Sequence, residues 1–340
     1  MARLPGAAIR VAMVSCTCDP LAGAGAWPTM EGILVQALLI AGPTASGKSA
    51  LAIELARRLG GAVINADSMQ VYADMRVLSA RPCPQEEALA PHLLFGHVDA
   101  SENYSVGKWL LDAQGALEHC RALSMAPIFV GGTGMYFKAL TQGLSDIPAV
   151  PDEVRADVRA RMAGVSAPDM HALLVARDPQ TAARLRPSDP QRILRALEIF
   201  EATGQPLASF QGARSAPVLA PGSWRGFFLD APRDWLYPRI DARFEAMMEQ
   251  GAVEEVQALM ARGLDPMLPS MRAHGIPGLI DWLCGRISRE EAIARGQADT
   301  RHYARRQFTF ARRQLPGFCW ISPQGGLEAA LETPGNSSDP

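Results

Sequence analysis

Eight consecutive residues, Gly42-Pro43-Thr44-Ala45-Ser46-Gly47-Lys48-Ser49, carry the first chemistry legible in this chain of 340 residues. They make the pattern G-x-x-x-x-G-K-[ST]. In that pattern backbone N–H groups and a helix N-terminus wrap a phosphate, the lysine adds a point charge, and the serine hydroxyl can hold Mg²⁺. Lysine occurs only at positions 48, 108 and 138, and every other fixed positive charge is arginine. A compact ammonium at Lys48 is thus chosen against the composition, because arginine's planar fork does not fit the same cradle. Two further groups can act beside a bound phosphate. Asp67 heads the run Asp67-Ser68-Met69-Gln70-Val71-Tyr72, and Thr133 offers a hydroxyl inside Gly131-Gly132-Thr133-Gly134. A carboxylate there can work as a general base, as a metal ligand in a nucleotide site, or as a helix cap.

These residues must be brought together by a sheet. Ala37-Leu38-Leu39-Ile40-Ala41 is a short apolar run before the loop and reads as a buried parallel strand. Ser49 to Leu59 reads as a helix, with Ile53, Ala56 and Leu59 on one face and Gly60-Gly61 as its stop. Ala62 to Ala66 and Ala126 to Val130 are further strands, ending at Asp67 and at Gly131. Ligands of open parallel sheets bind outside the carboxyl ends of the strands, so all three ends are expected at one crevice. Trp224 to Leu229 is one more strand, and Trp235 to Gln250 a helix with Leu236, Ile240, Phe244 and Met247 inward and Gly251 as its stop. Arg239 and Arg243, four apart, then share its flank.

Six blocks resemble those of the tRNA dimethylallyltransferases, a family of tRNA prenyltransferases. They are the loop at 42–49 with its Pro-Thr-Ala-Ser interior, Asp67 to Tyr72, Val130 to Tyr136, Asp189 to Glu198, Arg239 to Arg243, and Thr300 to Gln307. The resemblance runs from about Ile33 to Trp320. It implies an α/β fold, a P-loop NTPase-like parallel sheet flanked by helices, with a helical insertion domain. The expected boundaries are a core over 33–147 and 213–322, the insertion over 148–212, an N-terminal extension over 1–32 and a disordered tail over 323–340. The extension is expected to be disordered or to precede a true start at Met30.

The resemblance also implies the reaction. Dimethylallyl diphosphate would donate its prenyl group to N6 of adenosine 37, next to the anticodon of a tRNA. Gly42, Pro43, Thr44, Ala45, Ser46, Gly47, Lys48 and Ser49 would bind the donor's diphosphate, Ser49 with Mg²⁺ as cofactor. Asp67 is the candidate base for the exocyclic amine, whose lone pair is delocalised and whose proton must leave. Arg243 would stabilise the leaving group, and Thr133 would sit where base and diphosphate meet. Asp67, Ser68, Met69, Gln70, Thr133, Arg155, Gln191, Arg192, Ile193, Leu194 and Arg195 are expected to meet the tRNA, through its anticodon stem-loop. Stacked bases cannot reach a buried site, so the target is expected to be flipped into a channel, as the family is described to do.

Departures from the family pattern fall at Leu78-Ser79-Ala80-Arg81-Pro82 and at Gly275-Ile276-Pro277-Gly278 after Arg272. Neither touches the expected catalytic groups.

A formal net charge of −2 excludes a surface that coats nucleic acid generally, so RNA must meet local basic patches. One lies on the helix opening at Asp189-Pro190 and stopping at Gly204, with Arg192 and Arg195 beside Gln191, and Ile193, Leu194, Leu197 and Phe200 as its buried stripe. The other interleaves Arg301, Arg305, Arg306, Arg312 and Arg313 with Tyr303, Phe308 and Phe310. Six scattered cysteines, with no second pair to join Cys16 and Cys18 in a zinc site, fit a reduced cytoplasmic protein. No run of about 18 apolar residues exists to span a membrane, and no protein partner is implied. The competing class is a P-loop kinase for a small molecule or nucleotide, in which Asp67 would activate a hydroxyl. Against it, the strand at Ile128-Phe129-Val130 ends in glycines and not in a metal-binding aspartate. A non-catalytic RNA-binding or NTP-driven RNA remodelling protein has less support, since helicase-type motifs are missing.

Overall fold

The computed structural model describes residues 36–212 and 214–332. Six parallel strands form one sheet: β1 Ala37–Ala41, β2 Gly61–Asn65, β3 His92–Leu93, β4 Ala126–Gly131, β5 Trp224–Leu229 and β6 Phe318–Ile321, in the order β3-β2-β4-β1-β5-β6. The helices are α1 Lys48–Leu59, α2 Pro84–Glu87, α3 Val106–Ala122, α4 Gly134–Gln142, α5 Asp152–Met162, α6 Ala167–Arg177, α7 Pro179–Ala182, α8 Pro190–Thr203, α9 Arg233–Glu249, α10 Ala252–Ala261, α11 Ile276–Leu283, α12 Arg289–Gln314 and α13 Gly326–Glu332.

The uninterrupted apolar runs follow from a sheet covered on both faces. Alternate residues of each strand feed opposite cores. Ala37, Leu39, Ile64, Phe129 and Phe228 face a core shared with α3, α4 and α10 to α12. Leu38, Ile40, Val63, Ile128 and Phe227 face α1 and α13. Each large apolar side chain so buried contributes about 1.5–3 kcal/mol. Because β4 lies between β1 and β2, the phosphate loop, Asp67 and the Gly131–Gly134 turn emerge side by side at one edge.

Between α4 and β5 the chain leaves the sheet to form α5 to α8, packed around a core of their own that includes Val158, Leu174, Ile193 and Leu197. Helix α8 starts as its sequence requires: the Asp189 side chain accepts from the Arg192 N–H, and Gly204 ends it at φ 68°.

Several expectations are corrected. Strands β3 and β6 have no counterpart in the sequence reading. β3 is only two residues long, too short for a period to register. The stretch 326–332, expected as part of a disordered tail, is helix α13 packed on α1 through Ala330. In α9, Met248 and not Met247 joins Leu236, Ile240 and Phe244 in the core. The expected extension at 1–32 and the remainder of the expected tail lie outside the described residues.

Candidate active site

The loop between β1 and α1 borders a cavity through Ala45, Gly47, Lys48 and Ser49. Ala45 (φ 62°) and Gly47 (φ 90°) take left-handed conformations that turn successive amides inward. The Lys48 ammonium donates to the Pro43 carbonyl at 3.2 Å. Burial pushes its pKa down to about 8, with Asp67 opposing the fall and Arg243 adding to it. Ser46 is buried, and its Oγ has no hydrogen-bond partner. Arg239 of α9 reaches over to the loop, donating to the Ala45 carbonyl at 3.2 Å while its guanidinium lies 4.4 Å from the Trp235 ring. Arg243, one turn further along α9, is deeply enclosed. Burial lowers its pKa, and the Asp67 carboxylate is the largest influence raising it. Two cations and one carboxylate thus face one another across the site.

Asp67 follows β2. Its N–H donates to Asn65 Oδ1 at 2.8 Å, and its own Oδ1 accepts from the Met69 N–H at 3.0 Å. One carboxylate oxygen therefore pins the Asp67–Gln70 loop, and the residue also lines the passage described below. Thr133 accepts from the Ser68 N–H at 2.9 Å and donates to Ser68 Oγ at 3.2 Å, with Tyr303 of α12 beside it. Its hydroxyl fixes the Asp67–Ser68 loop to the β4–α4 turn.

Helix α12 explains the glycines of the β4–α4 turn. A methyl group at Gly132 would strike the Gln307 amide, and one at Gly134 would strike the Phe310 ring. Tyr303, Gln307 and Phe310 are spaced to share a helix face, and they meet this turn at three successive points. The turn is glycine-rich so that a helix can approach it. Gln307 lies in the space beside the β4 carboxyl end, at the Gly132 carbonyl.

Three cavities meet at these residues. One of about 760 Å³ opens over the phosphate loop and is lined by Lys48, Ser49, Arg76, Arg81, Arg239 and Arg243 among others. A second, of about 720 Å³, lies between the core and the α5–α8 unit, with Ser68, Met69, Gln191, Leu194, Arg195, Arg272, His274 and Tyr303 on its walls. Between them is a neck of about 80 Å³ lined by Thr44, Asp67, Leu78, Arg243, Phe244, Met247, His274 and Tyr303. The neck shares Ala80, Arg243 and Met247 with the first cavity. It shares Met69, Ala273, His274 and Tyr303 with the second. A passage therefore runs from the phosphate loop past Asp67 to the cleft beside the insertion.

The chain matches the IPP transferase family over residues 70–314 and the isopentenyl transferase family over residues 35–90. A tRNA dimethylallyltransferase of Methylocella silvestris is 64% identical over 302 residues, covering 89% of this chain and 100% of that one. Another, from Bradyrhizobium, is 56% identical over 87% of this chain and 97% of its own. This chain belongs to the tRNA dimethylallyltransferase family. Among solved structures, the full-length tRNA isopentenylpyrophosphate transferase of Bacillus halodurans is 31% identical, with a TM-score of 0.60 over 88% of this chain and 98% of that one. A eukaryotic dimethylallyltransferase, described as acting on tRNA, is 28% identical with a TM-score of 0.68 over 84% of this chain and 73% of its own. The kinase alternative receives no support from these relatives. The fold is the parallel P-loop sheet flanked by helices that the motifs implied, and the chain is a prenyltransferase.

Within this family site the individual residues divide. Thr44, Asp67 and Arg243 meet at the neck, and Lys48 and Ser49 on its loop side. Ser68, Met69, Gln191, Leu194 and Arg195 line the insertion side. Gln191 lies on the Arg272 guanidinium, its carbonyl oxygen accepting at 2.5 and 2.8 Å once the amide is turned to satisfy both groups. Arg192 stands out in solvent with 74% of its side chain exposed, 3.5 Å from Asp189. Arg195 and Arg159 share the buried Glu198, at 3.6 and 3.0 Å.

Three residues expected at the tRNA make contacts within the protein. Ile193 is fully buried in the insertion core, on the side of α8 that packs. Gln70 is turned to hold the neighbouring loop, donating to the Ser79 and Ala80 carbonyls at 3.0 and 2.9 Å. Arg155 is spent on Asp152 and the Val150 carbonyl, so it braces the start of α5. Sequence reasoning missed His274, Phe244 as a wall of the neck, and the roles of Tyr303 and Gln307. The last two sit inside the Thr300–Gln307 block, which was the available signal. His274 lies 4.8 Å from the Tyr303 ring, its pKa lowered by burial and by Arg306 against Asp299 and Asp67.

The donor set suits a hard divalent cation. Among the described residues no three His, Cys, Asp or Glu side chains gather to hold a metal unaided. Such a cation commonly takes one or two protein oxygens and completes its shell from substrate phosphates and water, a requirement that the Ser49 hydroxyl can meet. Among the described residues no helix is long and apolar enough to cross a membrane.

Proposed function

We propose that this chain transfers the dimethylallyl group of dimethylallyl diphosphate to N6 of adenosine 37 in tRNA and releases diphosphate. One observation carries the reading: a narrow neck holds Asp67, Thr44 and Arg243 between a phosphate-loop cavity and a cleft bounded by the insertion. The donor enters from the loop side, and the flipped adenine from the cleft.

Loop amides, Lys48 and Arg243 hold the diphosphate while its charge grows, in a site that costs no reorganisation at the moment of reaction. Bound magnesium, held by Ser49 and the diphosphate, would neutralise part of that charge. Attack by N6 forms the C–N bond at the allylic carbon as the C–O bond to diphosphate breaks, and the electron pair leaves with diphosphate. Asp67 takes the proton that N6 sheds. Its Oδ1 is fixed by the Met69 N–H, so the carboxylate is oriented before substrate arrives. Leu78, Phe244 and Met247 give the prenyl group an apolar wall. Thr133 acts through Ser68, which it positions. On the cleft, Gln191 and Arg272 face base edges, while Arg192 and Arg195 meet phosphates. The insertion at 148–212 serves as the RNA clamp, and the reaction takes place in the cytoplasm.

Incubation with unmodified tRNA and dimethylallyl diphosphate labelled in the prenyl group tests this. Label should enter tRNA bearing adenosine at position 37 and not tRNA bearing guanosine there. ATP labelled in its terminal phosphate should transfer nothing. Label transfer from ATP to a small acceptor, with none from the prenyl donor, would refute the proposal.

A further inference from the structure

Gln307 sits 7% exposed in the second half of α12, 263 residues from Thr44 of the phosphate loop. Its Oε1 accepts from the Thr44 N–H at 3.3 Å, and its Nε2 donates to the Gly132 carbonyl at 2.9 Å. One amide thus joins the loop after β1 to the turn after β4. An apolar residue of the same volume would fill the space yet leave a half-buried donor and a buried acceptor unmet. The same helix face places Tyr303 beside Thr133 and covers Gly134 with Phe310.

We propose that Gln307 is a positioning residue that sets the register between the diphosphate cradle and the Asp67 side of the neck. Thr44, which it holds, belongs to the cradle; Gly132, which it also holds, adjoins Asp67. In-line displacement needs both halves aligned, so a loop that still binds diphosphate but sits out of register loses rate before affinity. The proposal rests on reading the loop as the donor-diphosphate site.

The test compares the wild type with Gln307→Met, which keeps volume and removes both bonds. Three quantities are measured: affinity for inorganic pyrophosphate, single-turnover rate at saturating tRNA and donor, and thermal unfolding. Misplacement by about 1 Å predicts a rate loss on the order of 10–100-fold, with pyrophosphate affinity held within about threefold. The pH profile of the rate should keep its shape, because Asp67 is untouched. Gly132→Ala approaches the same contact from the other wall, its methyl evicting the flexible end of Gln307 while lying 3.2 Å from Asp67 Oδ2, so its rate loss counts only if the pH profile keeps the wild-type shape. It should show the same loss, and the double variant should lose no more than the worse single one. If Gln307→Met does not fold, Gly132→Ala decides alone. A folded Gln307→Met with the full rate, a Gly132→Ala with the full rate, or single losses that multiply in the double variant would overturn the proposal. Failure of the wild type to bind pyrophosphate would instead overturn the reading of the loop, and the proposal with it.

Discussion

Raising the pH from 7 to 9 should weaken diphosphate binding through a single group, Lys48. Burial pushes its ammonium down to about 8, from an ordinary value of 10.5. A group with that pKa is ~90% charged at pH 7 and ~10% charged at pH 9, so affinity that depends on its charge falls about tenfold over the range. A lysine titrating at its ordinary value would lose almost nothing. The assay is calorimetric titration with inorganic pyrophosphate at pH 7, 8 and 9 and fixed ionic strength, on the wild type and on Lys48→Ala. The ratio of the two affinities cancels the titration of pyrophosphate itself. It should shrink about tenfold between pH 7 and pH 9. Ligand-free stability moves the other way. The folded pKa is depressed, so the unfolded chain binds more protons between about 8 and 10.5, and stability rises with pH through that window. A ratio that stays constant with pH would refute the reasoning, since wild type and variant would then be losing affinity for a reason unrelated to Lys48.

Asp67→Asn should keep pyrophosphate affinity and lower the single-turnover rate by roughly 10²–10⁴, the range for a general base. An unchanged rate would reduce Asp67 to the turn-forming acceptor of the Met69 N–H. Arg192→Ala should leave the melting point unmoved, because that side chain is mostly solvated, while lowering the salt slope of tRNA binding by about one unit for the lost phosphate contact. Binding identical to wild type at every salt concentration would move the RNA off α8. Gly296→Ala, in the middle of α12, removes the space occupied by the Phe244 ring. Despite a helix propensity gain of up to about 1 kcal/mol, it should destabilise by about 1–3 kcal/mol and raise the KM for the donor, as thermal unfolding and steady-state kinetics would reveal.

The sequence by itself determined the phosphate loop, the strands on either side of it and the caps of α8. These are local: a loop that turns its amides inward needs a particular glycine and lysine spacing, and a buried parallel strand needs an unbroken apolar run. Asp67 and Thr133 were legible for a related reason, because each follows such a strand and strand ends of one sheet converge. Tertiary structure decided what those residues touch. What the glycines of the β4–α4 turn make room for is Gln307 and Phe310, which arrive from a helix some 175 residues away. Gln70 and Ile193 lie within motif blocks, yet one holds a neighbouring loop and the other fills the insertion core. The neck joining the two cavities draws its walls from separate stretches, between Thr44 and Tyr303. Periodicity and capping reflect hydrogen bonds a few residues apart, so the chain displays them. Which distant side chain fills a given space depends on how whole elements pack, and no spacing along the sequence encodes it.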